Sequence, residues 1–568
     1  MANRIDGTLD DDILHGTDQA DEIHGYAGDD TLQGKAHDDR LIGGAGADTL
    51  DGGAGFDTVS YADSIKAVTV NLASGRGTAG TAFGDRLISI EAVEGSAYAD
   101  ILLGSTAADT LRGGAGADTL DGGEGFDTVS YADSIKGVTV NLASGRGTAG
   151  TAFGDRLISI EAVRGSAYAD ILLGSAADNV LDGDDGDDVL EGYGGGDTLG
   201  GGRGNDILIA GSGGDLLAGG DGNDTLVDFD SSGGNDSLIG DDGFDTVSYA
   251  NSTEGVTVDL TTGHGRGGAA HWDSLLDIEA VEGSAYSDAL IGKSDANTLR
   301  GNDGNDVLRG EAGADILDGG GGFDTVGYTE SNAGVTVNLA TGIVSGGDAT
   351  GDTLVSIEGI NGSAYADTLI GNSGDNVLQG SAGADTLDGG NGVDTASYAD
   401  STKGVTVNLA TGIASGGTAT GDTLVSIEGV NGSAYDDTLI GSAAADILAG
   451  GWRKDVLTGG GGADRFVFTD ARDSSWDRTY TDRITDFSRA QGDKIDLSTI
   501  DANGDGAGNG SFTFIGTAAY TGVAGQLRYA VSGTDVVIGG DIDGDGVFSD
   551  FNIVLSHVGS LQEADFVL

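Results

Sequence analysis

The chain of 568 residues contains no cysteine and no proline, a single methionine and three tryptophans. Without cysteine there is no disulfide framework, no zinc–thiolate site and no thiol nucleophile. Without proline, its 108 glycines belong neither to collagen nor to a typical disordered linker, and they fit a repeat built from turns. Positive charge is scarce: 26 Lys and Arg stand against 93 Asp and Glu, a net charge of −67. Such a field makes nucleic acid and anionic membranes poor partners. No run of apolar residues is long enough to span a bilayer, so no membrane insertion is expected. The opening Met1–Gly7 stretch has no hydrophobic signal core, which argues against export by a cleaved signal.

Catalytic signatures are also missing. None of the six histidines, at 15, 24, 37, 264, 271 and 557, has a partner at the i, i+4 spacing that a helical zinc-protease motif needs. No serine sits in Gly-x-Ser-x-Gly. The local acidic charge would repel phosphate, so the glycine-rich stretches are not read as phosphate loops. His264 and His271 beside Trp272 are a conceivable sugar or metal site, and otherwise plain surface. The chain is expected not to be an enzyme.

What is present is a nonapeptide unit. Gly43-Gly44-Ala45-Gly46-Ala47-Asp48-Thr49-Leu50-Asp51 is followed at once by Gly52-Gly53-Ala54-Gly55-Phe56-Asp57-Thr58-Val59-Ser60. Glycines at the first, second and fourth places permit a tight turn with positive φ. The lone apolar residue at the eighth place suits a very short strand with one inward side chain. Stacked copies join these side chains into a narrow core that no copy has alone.

The register holds through most of the chain. It places aspartate at the sixth position in Asp12, Asp21, Asp30, Asp39, Asp48 and Asp57, then in Asp100, Asp109, Asp118 and Asp127. It continues in Asp170, Asp188, Asp197, Asp206, Asp215 and Asp224, and, after a slip near Ser231, in Asp236 and Asp245. The later blocks hold Asp288, Asp306, Asp315 and Asp324, then Asp367, Asp385 and Asp394, then Asp437, Asp446, Asp455 and Asp464. Asn179, Asn297 and Asn376 replace aspartate, and an ion there is expected to be weak or absent. With two nonamers per coil, every second aspartate of the series shares one edge of neighbouring coils. Carboxylates stacked so closely repel unless a cation lies between them. Carboxylate and glycine carbonyl oxygens suit many calcium ions, so binding free energy becomes folding free energy.

This unit resembles the glycine- and aspartate-rich nonapeptide of the RTX family of secreted calcium-binding proteins. The resemblance implies a parallel β-roll with calcium in its turns. The expected fold is therefore all-β: a parallel β-roll or β-solenoid of stacked coils, followed by a C-terminal antiparallel β domain.

Five long segments of equal length interrupt the count, at 61–94, 131–164, 249–282, 328–361 and 398–431. Each opens on a tyrosine (Tyr61, Tyr131, Tyr249, Tyr328, Tyr398), read as a structural corner rather than a carbohydrate platform. Two alternating patterns, Val68 to Leu72 and Leu87 to Ile90 in the first, read as strands. Being only slightly shorter than two coils, each segment is expected to be a pair of modified coils. Residues 55–105 and 125–175 are nearly identical. The domain plan is a first roll block at 1–60, a solenoid carrying the five segments at 61–467, and a β domain at 468–568.

That last region changes character, with Phe466, Phe468, Trp476, Arg478, Tyr480 and Phe487 close together. Ile484–Phe487, Gly492–Leu497, Phe514–Gly516, Gly525–Tyr529 and Asp541–Gly546 resemble the C-terminal domain of the serralysin metalloproteases. Asp541, Asp543 and Asp545 match the start of an EF-hand-like loop, with Asp550 nearby. Asp501–Gly506 is a weaker echo. The acidic-then-apolar run Asp565, Phe566, Val567 and Leu568 resembles a type I secretion signal, which implies export through an ABC transporter. These readings predict a secreted or cell-surface calcium-binding protein with a structural or adhesive role in a surface layer, biofilm matrix or filament. Its partners would be the transporter and either itself or a cell-surface polysaccharide. Repeats starting so near Met1 leave no room ahead for a catalytic domain. The alternative is the non-catalytic repeat and secretion region of a larger extracellular protease, lipase or polysaccharide-modifying enzyme.

Overall fold

A computed structural model describes residues 3–229, 234–475, 480–504, 510–546 and 549–568. The slip at Ser231, the Trp476 and Arg478 side chains, and Asp505–Gly506 of the weaker loop echo lie outside these residues. The chain divides into two compact units, Met1–Asp288 and Ala289–Leu568.

In the first unit the nonapeptide period becomes two facing parallel sheets. Thr31–Ala36 pairs with Thr49–Ala54 in register, Leu32 opposite Leu50. Arg40–Ala45 pairs with Asp21–Ala27, Leu41 opposite Ile23. In both sheets the partners lie two repeats apart in sequence, so two nonamers do make one coil. Ile23, Leu32, Leu41, Leu50 and Val59 are fully buried. Each contributes about 1.5–3 kcal/mol by leaving water. The longer step from Asp224 to Asp236 does not disturb the stack: Leu217 lies opposite Leu238.

The five long segments differ from the expected pair of parallel coils. In the first, Arg86–Ile88 docks in parallel on Thr49–Ala54. Arg76–Ala79 then runs antiparallel to both Arg86–Ile88 and Thr69–Asn71. Thr69–Asn71 in turn pairs in parallel with Ile101–Leu103. In the opposite sheet Ala92–Glu94 follows Thr58–Ser60 directly. Each such segment is one coil plus an inserted hairpin, so one sheet takes three strands where the other takes one. The bend needs Gly75, at φ +61°, and close packing of Gly77, where a Cβ would meet Ala82.

In the second unit the same stacking reaches the C-terminal region. Arg465–Val467 pairs in parallel with Lys494–Asp496, which pairs with Phe566–Val567. Val456–Thr458 pairs with Asp482–Ile484, which pairs with Phe551–Leu555. The antiparallel part is the meander Gln526–Ser532, Asp535–Asp541 and Phe551–Leu555. Both sheets of the roll thus run on into the C-terminal strands. No helix among the described residues is long and apolar enough to cross a membrane.

Candidate metal sites

The sixth-position aspartates from Asp21 onward line the turns and are buried, Asp57 fully and Asp48 at 1% exposure, while Asp12 is half-buried. Their carboxylates do not simply face one another. Asp30 N donates to Asp48 Oδ1 at 2.8 Å, and Asp39 N to Asp57 Oδ1 at 2.8 Å. Each carboxylate thereby carries the backbone amide one coil back. The ladder runs from Asp188 to Asp206 to Asp224 and from Asp215 to Asp236; in the second unit it runs from Asp306 to Asp324.

The second oxygen separates the turns into two kinds. In Asp30, Asp39, Asp48, Asp57, Asp118, Asp127, Asp188, Asp197, Asp206, Asp224 and Asp245, Oδ2 is buried without a hydrogen-bond partner. The same holds for Asp315, Asp324, Asp385, Asp394, Asp455 and Asp464. In these open turns the residue at the second place is left-handed: Gly44 at φ +94°, Gly202 at +110°, and even Tyr26 at +75° and Ser381 at +63°. A Cβ on the first glycine would fill a cradle shared by the carboxylate and a carbonyl of the next coil. At Gly34 it would lie against Asp39 Oδ2 and 2.6 Å from the Gly52 carbonyl oxygen. Carboxylate and carbonyl oxygens converging on one small space form a hard-cation donor set.

Twelve other turns are closed by the amide, or the amide and hydroxyl, of the residue four places before the sixth position. Ser96 N donates to Asp100 Oδ2 at 2.6 Å and Ser96 Oγ to Asp100 Oδ1 at 2.9 Å. The same closure seals Asp12 with Thr8, Asp21 with Thr17, Asp109 with Ser105 and Asp170 with Ser166. It also seals Asp288 with Ser284, Asp367 with Ser363, Asp437 with Ser433 and Asp446 with Ser442. Asn179, Asn297 and Asn376 are closed by the amides of Ser175, Lys293 and Asn372. Sealed turns come in pairs at the head of a block, before the open ones. Of the aspartates read from the sequence as metal ligands, those in sealed turns have protein donors on the oxygen that is orphaned elsewhere.

The pKa shifts follow the same geometry. Burial, opposed by the Asp30 amide and reinforced by Asp85, pushes Asp48 up to about 7. Burial does the same to Asp118 and Asp188, each raised to about 7. These carboxylates resist ionisation unless a cation accompanies them.

The period of nine misses further rungs. Asp85 accepts from Asp48 N at 2.9 Å and from the Tyr61 hydroxyl at 2.9 Å. Asp155 and Asp352 are held in the same way by Tyr131 and Tyr328. Glu91 accepts from Asp57 N. The tyrosines are thus buried corner posts, as expected. The only signal for these aspartates was their place after a glycine, at one fixed distance beyond the tyrosine of each segment.

In the C-terminal loop Asp541, Asp543 and Asp550 bring oxygens within 4.8 Å of one another. Asp550 Oδ2 accepts from Ile542 N at 2.6 Å, and Asp541 Oδ2 is buried without a partner. Asp545, read from the sequence as a third ligand, donates its backbone amide to Asp543 Oδ1, and the residue grouped with Asp541 and Asp543 is Asp550. At the chain's end, Asp565 is buried and paired with Arg489, whose Nε lies 2.7 Å from Oδ1. Phe566 and Val567 form a strand on Lys494–Asp496; Leu568 follows. His271 and Trp272 stay exposed, rings 5.3 Å apart, and His264 lies on a different strand, His264–Arg266.

A family model for the RTX calcium-binding nonapeptide repeat matches residues 6–36, 24–59, 94–129, 164–199, 191–226, 230–248, 291–326, 361–396 and 431–466. Among solved structures the chain is similar to a subunit of a mannuronan C5-epimerase from Azotobacter vinelandii, at 25% identity over 31% of this chain and 91% of that one, TM-score 0.21. A second subunit of that epimerase is 24% identical over 36% of this chain and 78% of that one, TM-score 0.16. The extracellular lipase LipA from Serratia marcescens is 17% identical over 51% of this chain and 39% of its own length, TM-score 0.16. No curated protein matches the chain.

Proposed function

The chain is an RTX calcium-binding nonapeptide-repeat protein, and from that premise we propose that it is secreted unfolded, folds on calcium outside the cell and then plays a structural or adhesive part there. The observation that carries this reading is the series of buried, unpartnered Oδ2 atoms in the open turns, Asp30 to Asp57 foremost. Burying such a group without a partner is costly, and a calcium ion held with the glycine carbonyls of the next coil removes that cost. In this reading the open-turn aspartates are the ligands, and Asp541, Asp543 and Asp550 hold a separate ion. The sealed turns stand without one.

The buried pairing of Asp565 and Phe566 supports export before folding, because a type I transporter can read that stretch only while it is free. A chain dominated by stacked repeats supports a non-catalytic role, in a surface layer, matrix or filament. Two measurements test the reading. Circular dichroism should pass from coil to β as calcium rises to about millimolar. Light scattering should then detect concentration-dependent assemblies of the full chain. β structure that persists unchanged in excess chelator would overturn calcium-driven folding, and a strictly monomeric calcium form would overturn self-assembly.

A further inference from the structure

Positive charge is rare in this chain, and it is not spread evenly. The first long segment carries exposed Lys66, Arg76 and Arg86, and the second carries exposed Lys136, Arg146 and Arg156. Arg76 and Arg86 are directly opposed across antiparallel strands, as are Arg146 and Arg156. Like charges so placed repel and weaken a sheet. Several other arginines find carboxylates: Arg40 with Glu94, Arg164 with Asp184, Arg489 with Asp565. Among the described residues, these six cations have no ion pair and no side-chain hydrogen bond, unlike Arg164 at the end of the second segment.

The fold does not demand them. The third segment has Glu254, His264 and Ser274 at the matching places, the fourth Ala333, Ile343 and Thr353, and the fifth Lys403, Ile413 and Thr423. All three build the same hairpin. Three residues before Arg86 and Arg156 stands a bare ring, Phe83 at 70% exposure and Phe153 at 69%. The other segments have His271, Thr350 and Thr420 there.

Both clusters belong to one sheet of one unit. From Arg86–Ile88 the strand order runs through Arg76–Ala79, Thr69–Asn71, Ile101–Leu103 and Thr119–Asp121 to Arg156–Ile158. Five strand spacings put the two clusters about 24 Å apart along the stacking direction.

We infer that these clusters are two equivalent subsites for a linear acidic polysaccharide laid along the sheet. The guanidinium pairs would clamp its carboxylate or sulfate groups, and Phe83 and Phe153 would lie against sugar rings. Charge complementarity singles out an anion, and the repeat distance suits a polymer. A thin chain can touch the two clusters alone, whereas a duplex or a bilayer would press against the surrounding acidic face. Calcium in the turns reduces the opposing field, so the proposal rests on the calcium-loaded fold described above. It does not need self-assembly.

The test uses the full calcium-loaded chain and three probes of equal length: polygalacturonate, chondroitin sulfate and neutral dextran. Wild type should bind one or both acidic polymers, with affinity falling as salt rises, and should ignore dextran. Arg76→Gln with Arg86→Gln should weaken binding about 10- to 100-fold, since one of two linked contacts is lost. Adding Arg146→Gln and Arg156→Gln should abolish it. Circular dichroism in calcium must be unchanged in both variants, which separates loss of the subsites from loss of the fold. Lys403→Gln should bind like wild type. Equal binding by the fourfold variant, equal binding of dextran, or an effect of the fourfold variant on self-association alone would each overturn the proposal.

Discussion

Around Asp100 the carboxylate is enclosed by Ser96, whose amide and hydroxyl reach both oxygens. Around Asp48 the second residue is Gly44 in the left-handed region, and the second oxygen is abandoned. The two turns share length, aspartate position and the amide ladder. They differ in where one peptide group points. On the proposed reading that difference decides whether a turn is complete in itself or needs an ion, which would make calcium dependence a property of individual turns rather than of the repeat as a class.

The largest test of the contrast is removal of calcium. Excess chelator should abolish most of the β signal, and hydrogen exchange should lose protection in open stretches such as 31–57 before the sealed turns near Ser96 and Ser433. Simultaneous loss everywhere would erase the distinction.

Acid should partly replace the ion. The folded Asp48, Asp118 and Asp188 lie near 7, against an ordinary 3.8. Their protonated forms favour the fold, so the stabilisation is complete below about pH 4 and disappears as pH rises through about 7. In chelator, β content should therefore grow as the solution is taken from mildly alkaline to mildly acidic, read by circular dichroism.

Single substitutions sharpen the comparison. Asp48→Asn should remove calcium from the ion count measured by titration calorimetry and cost about 2.7 kcal/mol when calcium stands at about 100 times its Kd. Asp100→Asn should leave the count unchanged. Smallest of all, Ser96→Ala should cost about 1 kcal/mol, the worth of one hydrogen bond, and should cost the same at any saturating calcium concentration in a denaturant melt.

Much of this was legible in the sequence. The period of nine fixes the stacking of Leu32 on Leu50 and of Ile23 on Leu41, because only a coil of two nonamers puts every eighth-place residue inside. The division into open and sealed turns was half visible. Glycine at the fourth place, as in Gly46 and Gly116, goes with most open turns, while Tyr98, Ala107 and Tyr168 mark sealed ones; His37 and Arg453 in open turns and Gly374 in a sealed one break the pattern. The second residue alone is not decisive: Ser381 is left-handed and its turn is open, and Lys293 closes a turn that Lys35, at φ +86°, leaves open. The hairpin was hidden because Arg76–Ala79 lies in a glycine-rich bend with no apolar alternation to betray a strand. Asp85 was hidden because it stands one place out of step with the count of nine from Asp57, and its rung is set by the hairpin's geometry.

The doubled closed turns at the head of each block have one more consequence. In a stack where every coil leans only on its neighbours, damage spreads by unzipping from rung to rung. Ser96 and Ser105, Ser166 and Ser175, Ser433 and Ser442 act as firebreaks. A stretch stripped of its ions can fray as far as the next such pair, and from that intact edge it can be rewound.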